Sequence, residues 1–143
     1  MPPDGHESRR KDGRKPSGSG ERADRRDQPV VYFVLPCYNE ADNIPLFYKT
    51  TTECFENAGV KLEIVFVNDG SQDGSGQVCD DFALRDSRFR TIHQENLGII
   101  GGRGAGVRAA RGEYLAFVDS DDTITPDFCE KLYAAVQDTD AQM

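Results

Sequence analysis

The chain has 143 residues, a formal net charge of −8, four cysteines and no tryptophan. That length leaves room for one domain, and an acidic balance excludes a nucleic-acid binder held by phosphate attraction. The N-terminus lacks the apolar core of a signal peptide and no apolar run is long enough to span a bilayer, so no transmembrane segment is expected.

Residues 1–29 hold no apolar cluster and are mostly charged residues with Gly, Ser and Pro; eight Lys and Arg stand there against six Asp and Glu. Such a stretch cannot bury enough surface to offset its ordering entropy, so it reads as a disordered charged tail. Removing its +2 from the total leaves residues 30–143 near −10, and the single domain is expected there.

"VVYFVL", Val30 to Leu35, is short, β-branched and aromatic and stops at Pro36, which predicts a buried strand. Leu46, Phe47, Cys54 and Ala58 can share one helical face, with Gly59 as the stop. "LEIVFV" (Leu62 to Val67) predicts a second strand, and Val78, Phe82 and Ala83 mark a second helix. "FRTIHQ" (Phe89 to Gln94) is a third, weaker strand, followed by a helix over Gly101 to Arg111 closed by Gly112. "YLAFV" (Tyr114 to Val118) is the fourth strand; Phe128, Leu132 and Val136 then stack on a helix opened by Pro126.

Strand and helix alternate four times, which predicts an α/β fold with a doubly wound, mostly parallel sheet and helices on both faces. Near-continuous apolarity in the strands fits a sheet covered on both sides. In such sheets ligands bind beyond the carboxyl ends of the strands. There stand "PCYNE" (Pro36 to Glu40), "NDGSQDGS" (Asn68 to Ser75) and "DSDD" (Asp119 to Asp122). Any one of these is explained by a solvated turn; three together favour a site. Cys37, Cys54, Cys79 and Cys129 are widely spaced without C-x-x-C, which argues against a zinc site and suits a reducing cytoplasm.

Each cluster offers chemistry beside a plainer structural role. Tyr38 offers a flat surface and Glu40 an acceptor, while Asn39 serves equally as a helix cap. Asp69 can accept hydrogen bonds from a base or ribose and Gly70 allows close approach, or both belong to a turn. "NLGIIGGRGAGVRAARG" (Asn96 to Gly112) is glycine-rich where a helix begins. Its backbone N–H groups and Arg103 suit a diphosphate, although the spacing is neither G-x-G-x-x-G nor a P-loop. Close helix–sheet packing explains the same glycines. The carboxylates of Asp119, Asp121 and Asp122 suit a hard cation such as Mg²⁺ or Mn²⁺. An EF-hand frame fails at Ile124, where the turn requires Gly.

Taken together, "VLPCYNE", "IVFVNDGSQDGS", "RAARGEYLAFVDSDD" and "TPDF" resemble the family 2 glycosyltransferases, over about Val30 to Gln137. The resemblance implies the GT-A nucleotide-sugar-binding fold and inverting transfer from a UDP- or GDP-sugar to a polyprenyl-phosphate or saccharide acceptor. By matched position, Pro36, Tyr38, Glu40 and Val67 line the base and ribose, and Asp69 reads the base. Asp119 and Ser120 lie near ribose and metal, and Asp121 is the principal ligand of Mg²⁺ or Mn²⁺, with Asp122 beside it. Gly101, Gly102 and Gly104 depart from the Ala-Ala-Arg-Asn of many relatives. The family's general base and acceptor half are expected beyond Met143, so donor binding without transfer, and self-association through uncovered apolar surface, are the expectations for this chain. A cytoplasmic location is expected, with a peripheral position at the membrane face as its variant. "DSDDT" also resembles a haloacid-dehalogenase-like phosphatase motif with Asp119 as nucleophile and Asp121 as acid/base; a non-catalytic donor-binding fragment is the third alternative.

Overall fold

A computed structural model describes residues 30–55 and 60–139 of the chain. The tail assigned to residues 1–29, the Cys54 side chain, Ala58 and Gly59 fall outside the described residues.

Strands and helices alternate: β1 (Val30–Cys37), α1 (Asn43–Phe55), β2 (Lys61–Asp69), α2 (Ser75–Arg85), β3 (Phe89–Gln94), α3 (Gly98–Ala109), β4 (Tyr114–Phe117) and α4 (Phe128–Thr139). All strand pairs are parallel, in the order β3-β2-β1-β4. The expected doubly wound α/β architecture is therefore present.

Side chains of a strand alternate between faces, so β1 supplies two cores at once. Val31, Phe33, Leu35 and Cys37 join Ile64 and Phe66 beneath α1, α2 and α4, through Ile44, Phe47, Cys79 and Cys129. Tyr32 and Val34 join Val65 and Val67 beneath Ala105 of α3. The sheet grows outward from β1 to β3, and the chain then returns to place β4 on the other side of β1. A right-handed crossover that reverses direction must cross the opposite face, which is why α3 alone takes the second face.

Closeness of α3 to the sheet accounts for its glycines. A Cβ at Gly106 would sit 2.0 Å from Val34 Cγ1, and one at Gly102 would lie 3.3 Å from Pro36 Cβ. At the far end of the helix Arg90 donates to the Ala109 carbonyl at 2.9 Å and to the Tyr32 hydroxyl at 2.7 Å, binding α3 to β3 and β1.

Several boundaries differ from those the sequence predicts. β1 does not stop at Pro36: pairing with β2 continues through Pro36↔Val67 to Cys37↔Asn68. Its pairing with β4 has ended at Val34↔Phe117, so Pro36 stands where β1 has one partner strand and a missing N–H is tolerated. α3 begins at Gly98, three residues before Gly101, because Gly98 takes a φ of 69° that opens the helix. It ends at Ala109, before Arg111, where Ala110 turns extended. Leu46 is 63% exposed while Ile44 is buried with Phe47, so the α1 core face is rotated from the expected one. Pro126 precedes α4 rather than opening it, in a turn closed by the Phe128 N–H donating to the Thr125 carbonyl. Within α4, Cys129 is buried and Leu132 is 44% exposed. β4 ends one residue early, at Phe117.

Gly106→Ala tests the close approach. The added methyl meets a branched side chain that is itself fully buried, so nothing flexible can yield. Denaturant unfolding will show a loss of about 2 kcal/mol or more, toward the upper range for overpacked cores. An unchanged midpoint would mean that α3 does not rest on Val34.

Candidate functional site

Parallel order fixes where the loops go. The carboxyl ends of β1, β2 and β4 lie at one edge of the sheet, and between β1 and β4 the direction in which strands are added reverses. Loops diverge at such a switch point and leave a crevice.

Two of the predicted clusters fasten to each other there. Asn39 adopts a left-handed φ of 57°. Its N–H donates to Ser71 Oγ at 3.0 Å, and its side-chain oxygen accepts the Gln72 N–H at 2.9 Å. The Glu40 N–H donates to Ser75 Oγ at 2.8 Å and the Ala41 N–H to Asp73 Oδ2 at 3.1 Å. The Ser75 hydroxyl also donates to Asp73 Oδ1. "PCYNE" and "NDGSQDGS" are thus one clasp, with Asn39 as a loop tie and not a helix cap. The Glu40 carbonyl, accepting from Asn43 and Ile44, starts α1 instead. The Ser75 hydroxyl, helped by the Ser75 and Ala41 N–H groups, holds Asp73 below the usual carboxylate range.

Asp69 joins the third segment. It is 4% exposed, and its Oδ1 accepts from the Gln94 amide at 2.6 Å and the Leu97 N–H at 2.9 Å. Beside it Gly70 has a φ of 75°, and a Cβ there would come 2.8 Å from the Asn96 nitrogen. Gly70 therefore makes room for the β3–α3 backbone. Asp69 holds the entry to α3 in place.

"DSDD" forms a tight turn in which the Asp122 N–H donates to the Asp119 carbonyl at 3.0 Å. Ser120 is buried, Asp121 and Asp122 are exposed, and Ile124 returns into the core. Arg103 lies 3.6 Å from Asp119 Oδ1 through its NH2 group, and its guanidinium stands 5.3 Å over the Phe117 ring.

An open cleft of about 340 Å³ results. Pro36, Tyr38, Glu40, Asp69, Asp119, Ser120 and Asp121 all line it. Val67 and Arg103 do not: Val67 is fully buried in the core beneath α3, and Arg103 stands behind Asp119. Asp122 also lies outside the wall. Cys37, Asn96, Gly98 and Ile99 line the cleft as well and were not predicted, although Asn96, Gly98 and Ile99 stand in the glycine-rich stretch that drew attention. The Glu40 carboxylate accepts from the Asn43 amide at 2.6 Å. The neighbouring Cys79 thiol and burial push the Cys37 thiol upward, which favours its neutral form. Cys79 and Cys129 are likewise free and buried.

Among the described residues no group of three or more His, Cys, Asp or Glu side chains is arranged to hold a metal ion. Asp119 and Asp121 fit a narrower role. Mg²⁺ is commonly held by one or two carboxylates together with substrate phosphates and water, not by a protein cage.

The pattern of family 2 glycosyl transferases matches residues 32–143. The chain belongs to that family. The dehalogenase-like phosphatase reading is set aside with it. The chain is 41% identical over 113 residues to EpsH of Bacillus subtilis (strain 168), covering 78% of this chain and 32% of that protein. It is 38% identical over 119 residues to the glycosyltransferase GlyG of Streptococcus pneumoniae serotype 4, covering 80% of this chain and 37% of that protein. It therefore spans about a third of the length of these relatives. A solved structure of a mannosyltransferase from Pyrobaculum calidifontis, in complex with GDP-Man and Mn²⁺, matches with a TM-score of 0.66 at 24% identity, over 81% of this chain and 34% of that one. At that identity the likeness is one of fold, the GT-A type. Among the described residues no helix is long and apolar enough to cross a membrane.

The clasp has a pH signature. Because the folded state depresses the Asp73 value, its contribution is complete above the ordinary aspartate range, about 4, and is lost as pH falls through the depressed value. Protection of the Ala41 and Ser75 amides, measured against the intrinsic exchange rate at the same pH, will fall on acidification in the native chain. In Asp73→Ala protection will be low already at neutral pH, and a protected Ala41 amide in that variant would remove the clasp.

Proposed function

We propose that the cleft binds the nucleotide-sugar donor of a metal-dependent, inverting glycosyl transfer. One observation carries this reading: side chains from four separate segments, Tyr38, Glu40, Asp69, Asp119, Ser120 and Asp121 with Gly98, converge on one cleft at the switch point of the sheet. Family membership supports it, since the same positions carry the resemblance.

Each group has a chemical task within that reading. Tyr38 offers its ring to the base. Asp69 presents a fixed acceptor edge to the base or ribose, held by Gln94 and the Leu97 N–H. Glu40 and Pro36 close the same end, with Val67 supporting them from the core. Gly98 lines the cleft where α3 begins, and a helix N-terminus favours an anion. Arg103 offsets the charge of Asp119 from behind.

The cleft carries four carboxylates, those of Glu40, Asp69, Asp119 and Asp121, so a diphosphate entering alone meets like charge. Asp121 and Asp119 would hold Mg²⁺ or Mn²⁺ jointly with the donor. The ion, when bound, supplies positive charge where the nucleoside diphosphate departs. Acceptor attack on the anomeric carbon completes the reaction. A polyprenyl phosphate or a saccharide hydroxyl serves as acceptor, and free buried thiols fit a reducing, cytoplasmic compartment.

Calorimetry with UDP and GDP, with and without Mn²⁺, tests the reading. The native chain will bind one of them only with Mn²⁺, and Asp121→Ala will weaken that binding by about tenfold or more. Asp69→Asn, which keeps an acceptor for the Leu97 N–H, will weaken uridine or guanosine binding without metal. Equal affinities in native chain and Asp121→Ala would remove the metal role, and no binding of either nucleotide would remove the donor site.

A further inference from the structure

Helix α3 presents to solvent a face unlike the rest of this acidic chain. Its buried side is Gly102, Ala105 and Gly106. At 3.6 residues per turn, Ile100 and Val107 then fall at the centre of the opposite side, with Arg103 and Arg108 flanking them. Ile100 is 85% exposed, Val107 50%, and Leu97 and Ile99 at the helix entry 61% and 58%. Arg103, Arg108 and Arg111 stand between Asn96 and Gly112 without a single acidic residue. Among the described residues nothing covers this face.

Large aliphatic side chains held out in water, with arginines on both flanks, match a partner that is apolar within and anionic at its rim. We infer that the outer face of α3 docks on an anionic lipid bilayer. Ile100 and Val107 enter the boundary between headgroups and acyl chains, while Arg108 and Arg111 lie along the surface with their guanidinium groups at lipid phosphates and Arg103 stays beside Asp119. A second copy of this face offers no carboxylate to meet Arg108 and Arg111, since no acidic residue lies between Asn96 and Gly112, whereas an anionic surface does.

The placement has a geometric corollary. Gly98 and Ile99, at the entry of the same helix, also line the cleft, so docking through α3 brings the cleft mouth to the membrane surface. This inference uses no property of the donor site and stands or falls separately from it.

Flotation of the full chain with vesicles of phosphatidylcholine containing phosphatidylglycerol tests it, against phosphatidylcholine alone. Residues 1–29 are mildly basic, so point variants on α3 carry the discrimination. Ile100→Asp lies in solvent and will fold, as circular dichroism and an unchanged denaturant midpoint will verify. It will abolish flotation with the anionic vesicles. Arg108→Ala will lower the partition coefficient about fivefold, the effect of one basic side chain near such a surface, and added salt will erase that difference. Variants that float like the native chain would overturn the inference, because the tail then does the binding. Absence of flotation by the native chain would overturn it too. A concentration-dependent dimer lost in Ile100→Asp, without vesicle binding, would assign the face to a second copy instead.

Discussion

The handedness of one crossover shapes everything that matters in this chain. From β1 to β3 the sheet grows in one direction with helices on one face. The return to β4 reverses direction, and a right-handed connection can then run only over the other face. That reversal opens the crevice between β1 and β4. It also leaves one helix to cover the second face, and α3 does so by approaching closely, through Gly102 and Gly106 against Pro36 and Val34. The cleft and the glycines follow from the same constraint.

Carboxylates at the carboxyl edge divide by what they touch. Asp73 is committed to the Ser75 hydroxyl and the Ala41 N–H, and its work is to fasten two loops. Asp69 gives one oxygen to Gln94 and the Leu97 N–H and still faces the cleft. Asp121 stands at the mouth. Identical side chains a few residues apart therefore do different jobs, and hydrogen-bond partners separate them where spacing does not.

Repeating apolar runs made the fold legible in the sequence. β3 spans Phe89–Gln94 as expected, and the strand–helix alternation implied a parallel sheet with its polar clusters at one edge. Boundaries were less legible, for identifiable reasons. Pro36 continues β1 because only one neighbour needs pairing there, a fact of the sheet order. Gly98 starts α3 because of a left-handed φ, which composition alone does not announce. Leu46 and Ile44 compete for the same helical face, and tertiary packing chose Ile44. In the cleft, the glycine-rich stretch offered both a packing role and a ligand role. Gly102 and Gly106 took the first, Gly98 lines the cleft, and Gly70 makes room for backbone and not for a ligand. Val67 shows the limit of matched positions, since a residue at a strand end can face the core.

β1 reaches its two neighbours over very different distances along the chain. Val31 pairs with Leu62 on one side and with Tyr114 on the other. The first contact encloses α1 alone; the second must enclose α1, β2, α2, β3 and α3, and its loop-closure cost is the larger. A ligand that bridges Asp119 and Asp121 to Asp69 spans this most distant pairing and draws the chain toward its native state by mass action. Occupancy of the cleft and lifetime of the folded chain are one equilibrium seen from two ends.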